Sequence, residues 1–366
     1  MQTAPQTADV EAIMVADPRL ASPWHIFWQR LRKRRTAMAG GVILIILYLL
    51  ALFAGFVSPY HFERQDRQRF FHRPMALTFK GWHLAVRQYQ QPAGSSKFQP
   101  VPGEATPIHF FIKGDKYRLF GFIPAKIHLF GTGDDQNPVY LLGTDQYGRD
   151  IFSRLLYGSQ ISLSIGLIGI VLMFSLGMII GGISGYYGGT TDSFIMRLCE
   201  LIMSIPGLYL IMALRATFPA NLTSVQIYLL IIVIMSFIRW AGAARVIRGM
   251  ALSLRERQFV LAARTLGQSN PRIIFRHILP GTFSYVIVAA TLSVPYYILG
   301  EVVLSYLGVG IQEPDASWGI MLSAAQNSEY LTAYPWLLAP GVAIFITVLA
   351  FNFLGDGLRD AVDTKS

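Results

Sequence analysis

The stretch LLYGSQISLSIGLIGIVLMFSLGMIIGGISGYYGGTT, Leu155 to Thr191, carries no charged residue along its whole length. About 20 helical residues rising 1.5 Å each cross a bilayer core about 30 Å thick, so this window holds a tilted span and a flanking loop. Four other uncharged windows are also long enough: Met38 to Val57, Ala216 to Ile238, Ile278 to Gly300 and Tyr330 to Gly355. A sixth, Ile195 to Phe218, is mostly apolar but contains Arg197, Glu200 and Arg215. Only 14% of the 366 residues are charged, against about 25% in soluble domains. The reading is an all-α membrane protein with six transmembrane helices, near 38–57, 161–186, 193–216, 222–243, 282–305 and 333–355.

Charge orients the spans. The net charge of +10 sits in basic runs beside apolar windows, the ordinary membrane-protein pattern, so nucleic acid is not an expected partner. The run Arg30-Leu31-Arg32-Lys33-Arg34-Arg35 before the first window places the N-terminus in the cytoplasm. The first window, preceded by 37 residues, reads as a retained signal anchor rather than a cleaved signal. Residues 244–280 hold seven arginines and one acid, Glu256, and read as cytoplasmic. Both termini are therefore expected inside. Residues 58–157 fall outside; their 13 Lys/Arg against 8 Asp/Glu conflict only mildly, because long segments cross largely regardless of charge.

The expected division is a cytoplasmic segment 1–37, an anchor helix 38–57, an external insertion 58–157, a five-helix core 158–356 with its cytoplasmic loop 245–280, and a cytoplasmic tail 357–366. Aromatic residues through the insertion (Phe62, Phe70, Phe71, Trp82, Tyr89, Phe110, Phe111, Tyr117, Phe120) predict a folded part. Residues 110–112 and 117–120 read as short strands. Pro92 to Ser96 and Pro100 to Gly103 read as turns or linkers.

Gln258 to Pro280, QFVLAARTLGQSNPRIIFRHILP, is the most informative loop. Met250 to Leu266 has helical composition, with Leu254, Val260, Leu261 and Ala262 apolar among arginines. Gly267 suits the left-handed residue that ends a helix. Asn270-Pro271 suits a cap and first helical position. The product is a helix–turn–helix elbow, and small residues at Ala262, Ala263 and Gly267 would admit a close partner.

This elbow resembles the EAA loop of ATP-binding-cassette importer permeases, with Ala262, Ala263, Gly267, Leu279 and Pro280 in register. Leu261 stands where the pattern has glutamate, and His277 where it has isoleucine, as in the dipeptide/oligopeptide branch. Three further stretches agree: Leu142 to Asp150 with Ser153-Arg154, Met203-Ser204-Ile205-Pro206, and Glu301 to Gly310 followed by Trp318-Gly319. The resemblance covers roughly 142–360 and the anchor helix; the insertion is longer than the branch leads one to expect. It implies a type I importer fold in a bacterial inner membrane. The implied partners are a second permease subunit forming a heterodimer, two ATPase subunits and an external solute-binding protein, with the lipid bilayer around them. The chain has no G-x4-G-K-[ST] phosphate loop. No cofactor is expected on it, and ATP and Mg belong to the ATPases. Arg257, Leu261, Ala262, Ala263, Gly267, His277, Leu279 and Pro280 are the implied coupling residues, although the elbow arginines also fit a plain role beside anionic lipid.

For the substrate pathway the candidates are Met203, Ser204, Pro206, Pro295 and Glu301. Each has a plainer reading. Met203 suits packing, the prolines kink helices, and Glu301 suits a hydrogen bond that holds the Ser305–Gly310 turn. Arg197 and Glu200, at i and i+3, suit a local pair. Arg215 and Arg239 suit snorkelling to the interface. Cys199, the sole cysteine, suits packing. The histidines of the insertion (His61, His72, His83, His109, His128) are scattered, so no metal site is expected, and no catalytic constellation is visible. The alternatives are an ion-gradient-driven secondary transporter, which would rely on Glu200 and Glu301, and a membrane-anchored enzyme built on the insertion. Dipeptides, oligopeptides and nickel chelates all remain open as cargo.

Overall fold

The computed structural model describes residues 23–92, 98–217, 219 and 222–362. The chain begins with α1 (Pro23–Lys33), α2 (Arg35–Leu52) and a single turn, α3 (Ala54–Val57). Five strands follow: β1 (Leu77–Lys80), β2 (His83–Gln90), β3 (Gln99–Pro107), β4 (His109–Leu119) and β5 (Ile123–Gly131). Helices then resume as α4 (Ile151–Tyr187), α5 (Gly189–Ser204), α6 (Gly207–Thr217), α7 (Ser224–Leu254), α8 (Gln258–Thr265) and α9 (Asn270–Ile273). A π-helical turn, Ile274–Ile278, and a 3-10 turn, Leu279–Thr282, run straight into α10 (Phe283–Tyr306). The chain closes with α11 (Trp318–Ser323), α12 (Ser328–Ala333) and α13 (Ala339–Val362).

Among the described residues, five helical runs are long and apolar enough to cross a membrane: α2, α4, α7, Asn270–Tyr306 and Pro335–Val362. The sixth window, expected as one helix over 193–216, is divided into α5 and α6. Ile205 between them is extended, with ψ 123°. Proline lacks an N–H and drives the preceding residue out of the helical region, so Pro206 breaks the helix rather than kinking it. Six segments thus build the core, five continuous and one broken.

At 37 residues, α4 is about 55 Å long and starts ten residues before the expected 161. Asp150 caps it: the carboxylate accepts the Ser153 N–H at 2.8 Å and the Ser153 hydroxyl at 2.7 Å. Glycines let α4 pack closely on its neighbours. A Cβ on Gly177, Gly181 or Gly185 would meet α7 at 2.8, 2.4 and 2.5 Å respectively. This four-residue spacing is the small-residue stripe by which membrane helices approach one another. Gly166 and Gly169 make the same room for Val294 and Tyr297 of α10. Cys199 is buried in the core these helices share, beside Ile202, Ile231, Trp240 and Tyr297. Arg197 and Glu200 pair at 2.8 Å, as their spacing predicts. The start of α2 meets the end of α13: Gly357 leaves room for Ala37, and Arg34 pairs with Asp360 at 3.0 Å.

The insertion is a β structure. β1, β2 and β3 form one antiparallel sheet in that order, and β4 and β5 form a separate hairpin. Both expected strands fall on β4, except that Phe120 belongs to the following turn. Residues 100–103, expected as a turn, belong instead to β3. They bulge between the Tyr89↔Pro100 and Arg87↔Ala105 pairs, and an edge strand tolerates proline. Of the other expected turn, residues 93–96 lie outside the described residues. Met75, Val86, Tyr89, Phe98, Ile108, Val139 and Tyr140 form the insertion's core. His72 is enclosed there, and burial pushes its imidazole down to about 4.

Candidate functional site

The elbow lies at the end of the bundle away from the insertion. α7 stops at Leu254 rather than running on to Leu266, and Arg255 to Arg257 make the break. Arg257 is the N-cap of α8. α8 ends in a Schellman turn: Gln268 N–H donates to Ala263 C=O at 3.1 Å and Gly267 N–H to Arg264 C=O at 2.9 Å, with Gly267 at φ +74°. Ser269, not Asn270, is the N-cap of α9. The Asn270 side chain is engaged elsewhere, accepting the Tyr186 hydroxyl at 2.8 Å. Tyr186, in the last turn of α4, also accepts Arg264 Nε at 3.2 Å and lies beneath its guanidinium. One α4 residue therefore pins both limbs of the elbow, a role its sequence context did not announce.

The elbow has its own core. Val260, Ala263, Ile273, Ile274, Ile278 and Leu279 pack with Tyr186 of α4 and Ala251 of α7. Ala263, expected to receive a partner, thus faces inward, as does Leu279. Leu261, Ala262, Gly267, Arg257 and Pro280 are exposed, and half-buried His277 bonds Gln268 at 3.1 Å. The outer surface also carries Phe259, Phe275 and Leu266, the last 80% exposed. These three large apolar residues went unnoticed in the sequence because they fall outside the resembling positions.

Beside the break at Ile205–Pro206 lies an open cavity of about 440 Å³ on the bundle surface, lined by Met203, Ile205, Gly207, Arg239, Tyr285 and Ser293, among others. A second, of about 420 Å³, shares Gly207, Ile238 and Arg239 with it and reaches Tyr296 and Gly300. Arg239, expected near a helix end, is not at one. It sits well inside α7, with its guanidinium 4.6 Å from the Tyr296 ring. Arg239 is 15 residues from either end of α7, and Tyr296 is 13 residues from the start of α10 and 10 from its end. Arg239 is itself exposed, on a side of the helix about 200° around from Phe237. The side chain of Arg215 lies outside the described residues.

The other pathway candidates divide. Met203 lines the first cavity and Pro206 makes its break. Ser204 is exposed and donates to Leu201 C=O at 2.7 Å. Pro295 is buried within α10. Glu301 is fully enclosed: it accepts Ser305 at 2.7 Å and Ser162 at 3.4 Å, while the Ser305 oxygen accepts the Ile311 N–H at 3.0 Å. That is the turn-holding arrangement.

The segment before α4 is also a structural device. Asp145 Oδ1 accepts the N–H groups of Tyr147 and Arg149, and Arg149 reaches both Asp145 and Glu313. Burial opposes the Arg149 charge, but Glu313 and Asp145 outweigh it and hold the guanidinium above its ordinary range. Arg154, almost fully buried, donates to Glu313 at 3.2 Å and to the Pro314 C=O at 3.3 Å. The network binds the base of α4 to the loop after α10. Burial pushes the capping carboxyl of Asp150 up to about 7.

Two families match this chain. The binding-protein-dependent transport system inner membrane component matches residues 177–366, and the N-terminal TM domain of oligopeptide transport permease C matches residues 22–74. Among curated relatives, the dipeptide transport system permease protein DppC of Bacillus subtilis is 34% identical over 339 residues, 92% of this chain and 84% of that protein. The oligopeptide transport system permease protein OppC of the same organism is 33% identical over 345 residues, 94% and 90% of the two chains. The glutathione transport system permease protein GsiD of Escherichia coli is 33% identical over 352 residues, 96% and 94%.

Proposed function

Since this chain belongs to the family of binding-protein-dependent transport system inner membrane components, we propose that its elbow is the surface on which partner ATPases drive it and that its cargo is peptide-like. The chain is a multi-pass inner-membrane permease subunit of an importer. That membership sets aside the secondary transporter. The finer reading adds two ATPases carrying ATP and Mg, a second permease subunit and an external solute-binding protein. It also places the elbow and both termini in the cytoplasm. Relatives named for dipeptide, oligopeptide and glutathione transport favour a peptide-like cargo.

The observation that carries the coupling role is the pairing of an exposed apolar surface (Leu261, Leu266, Phe275) with a buried core continuous with α4 and α7. A partner pressing on the outer face moves the ends of two membrane helices, because the elbow cannot yield independently. The glycine contacts between α4 and α7 carry that motion inward as a rigid pair. α5 and α6, divided at Pro206, border the cavity whose shape the motion changes.

In that cavity Arg239 is the cation an incoming carboxylate meets. Charged groups within membrane-spanning helices are costly and mark pathways. Met203 and the Pro206 break flank it, while Pro295 and Glu301 act behind the wall.

The test is co-purification from native membranes through a C-terminal tag. The wild-type chain is expected to bring down two ATPases and a second permease, and Leu266→Asp or Gly267→Asp to lose the ATPases while keeping the permease. A wild-type chain that purifies alone and transports without ATP would sink the proposal. With the complex reconstituted, Arg239→Gln should lower uptake of a peptide with a free C-terminal carboxylate by about tenfold and spare its C-terminal amide. Equal loss for both peptides would remove the carboxylate role.

A further inference from the structure

We propose that the β4–β5 hairpin is a membrane-interface anchor, its aromatic tip seated at the headgroup–acyl boundary and its basic flanks on lipid phosphates. The hairpin does not project away from the bundle; it descends along it. Near its base Phe111 meets Phe56 with ring centroids 6.2 Å apart, and at its tip Phe120 meets Phe53 at 5.6 Å. Phe120 and Gly121 then share a cavity with Tyr48, Ala51 and Leu52 of α2 and with Leu163 and Leu167 of α4. From Phe56 to Tyr48 is eight residues, about 12 Å along a helix toward the bilayer centre. α2 is a membrane span, so the tip reaches below the point where the apolar window Met38 to Val57 ends.

The hairpin's exposed side chains fit that depth. Phe122 is 73% exposed and Phe111 67%, and Ile123 and Ile127 are exposed as well. A clustered apolar surface of this kind marks a membrane or protein contact rather than a water-facing strand. It adjoins α2 at Leu52, and Ile45, Leu49 and Leu52 of that span are exposed as well. The turn satisfies its own backbone, with Gly121 N–H donating to Arg118 C=O and Phe122 N–H to Leu119 C=O, both at 3.3 Å. Few bare donors are therefore carried into a poorly hydrated layer.

Charge selects lipid as the occupant. Lys113, Lys116, Arg118 and Lys126 lie on the hairpin and form no ion pair among the described residues. The hairpin's single acid, Asp115, is engaged by Arg64 at 3.5 Å and by the His61 N–H at 3.0 Å. Aromatic tips flanked by Lys and Arg are the composition of interfacial anchors, with rings at the headgroup level and cations on phosphate. A soluble partner could not reach beneath the membrane surface to this tip. The inference holds whichever side of the membrane the insertion occupies.

The experiment uses the intact complex in vesicles of phosphatidylethanolamine with a minor share of phosphatidylglycerol. The sole cysteine is removed as Cys199→Ala, and Phe122→Cys, at an exposed position, carries an environment-sensitive fluorophore. Lipids bearing a nitroxide near the headgroup should quench most of its emission, while aqueous iodide should leave it nearly unchanged. The same label at Trp82→Cys, on the fully exposed β1–β2 turn, should respond to iodide and not to the lipid nitroxide. Iodide quenching at position 122 would place the tip in water and overturn the proposal. Protection from both quenchers would seat it on a partner subunit and overturn it equally.

Discussion

α4 is finished differently at its two ends. At the insertion end its base is locked by groups wholly supplied by this chain: Asp150 caps it, and Arg149 and Arg154 converge on Asp145 and Glu313. At the elbow end the helix is held by Tyr186 and by glycine contacts, and the attached elbow leaves Leu266, Phe259 and Phe275 uncovered. The first end is closed, with buried charges paired. The second is complete inside and open outside, the form expected where another protein is to bind. A permease moved by a partner needs one fixed end and one that accepts force, and the contrast assigns them.

The comparison can be broken most sharply at Arg154. Arg154→Met takes one of two cations from Glu313, which is part-exposed and keeps Arg149, and takes their donor from the Pro314 and Asp315 carbonyls. The loss is about 2 kcal/mol, to be read as lowered thermal stability of the detergent-solubilised chain. An unchanged midpoint would mean that the insertion end is not closed by charge. Gly181→Ala comes next. The added Cβ would sit 2.4 Å from the Ala244 carbonyl oxygen, and such overpacking costs about 1–3 kcal/mol. Its signature is parallel loss of stability and of uptake, since the same contact joins α4 to α7.

Acid should weaken the sheet around His72 selectively. His72 has its imidazole at about 4 when folded, against 6.5 for the free side chain, because burial disfavours its charge. A depressed folded value means that the stabilisation is present above about pH 6.5 and is lost as pH falls toward 4, roughly 1 kcal/mol of it by about pH 5.5. Hydrogen exchange across β2 and β3 should rise over that window, and His72→Phe should flatten the response. The smallest change in stability belongs to the open end. Leu266→Asp should leave the midpoint within about 0.5 kcal/mol even as the ATPases are lost, which separates a docking surface from a packing one.

Much of this was legible in the residues. The uncharged windows gave the spans, because in a bilayer the backbone must be satisfied within the helix and the side chains must be apolar. Gly267 ending a helix followed from its freedom at positive φ. The break at Pro206 was read only as a kink: a lone proline shows that a hydrogen bond is missing, not whether neighbours hold the two halves in line. Ala263 looked like a contact residue because small size serves a tight core and a tight interface alike. Arg239 was assigned to a helix end because its apolar window stops at Ile238, whereas α7 runs on to Leu254, past the expected 243; the length of a helix beyond its apolar stretch is set by packing. The stripe Gly177, Gly181, Gly185 was in plain view at four-residue spacing and was not used.

By itself, the sequence determined that this is a six-segment membrane protein with a β-bearing insertion and a basic elbow, because hydropathy, glycine and proline act locally through backbone and solvent. Only the tertiary structure decided which of those residues face partners, cargo, lipid or one another. Asp145, Arg149, Arg154 and Glu313 are brought together across more than 150 positions of the chain, and the β4–β5 hairpin is laid against α2. Such contacts depend on how helices pack, and packing is a property of surfaces that no single stretch of sequence contains.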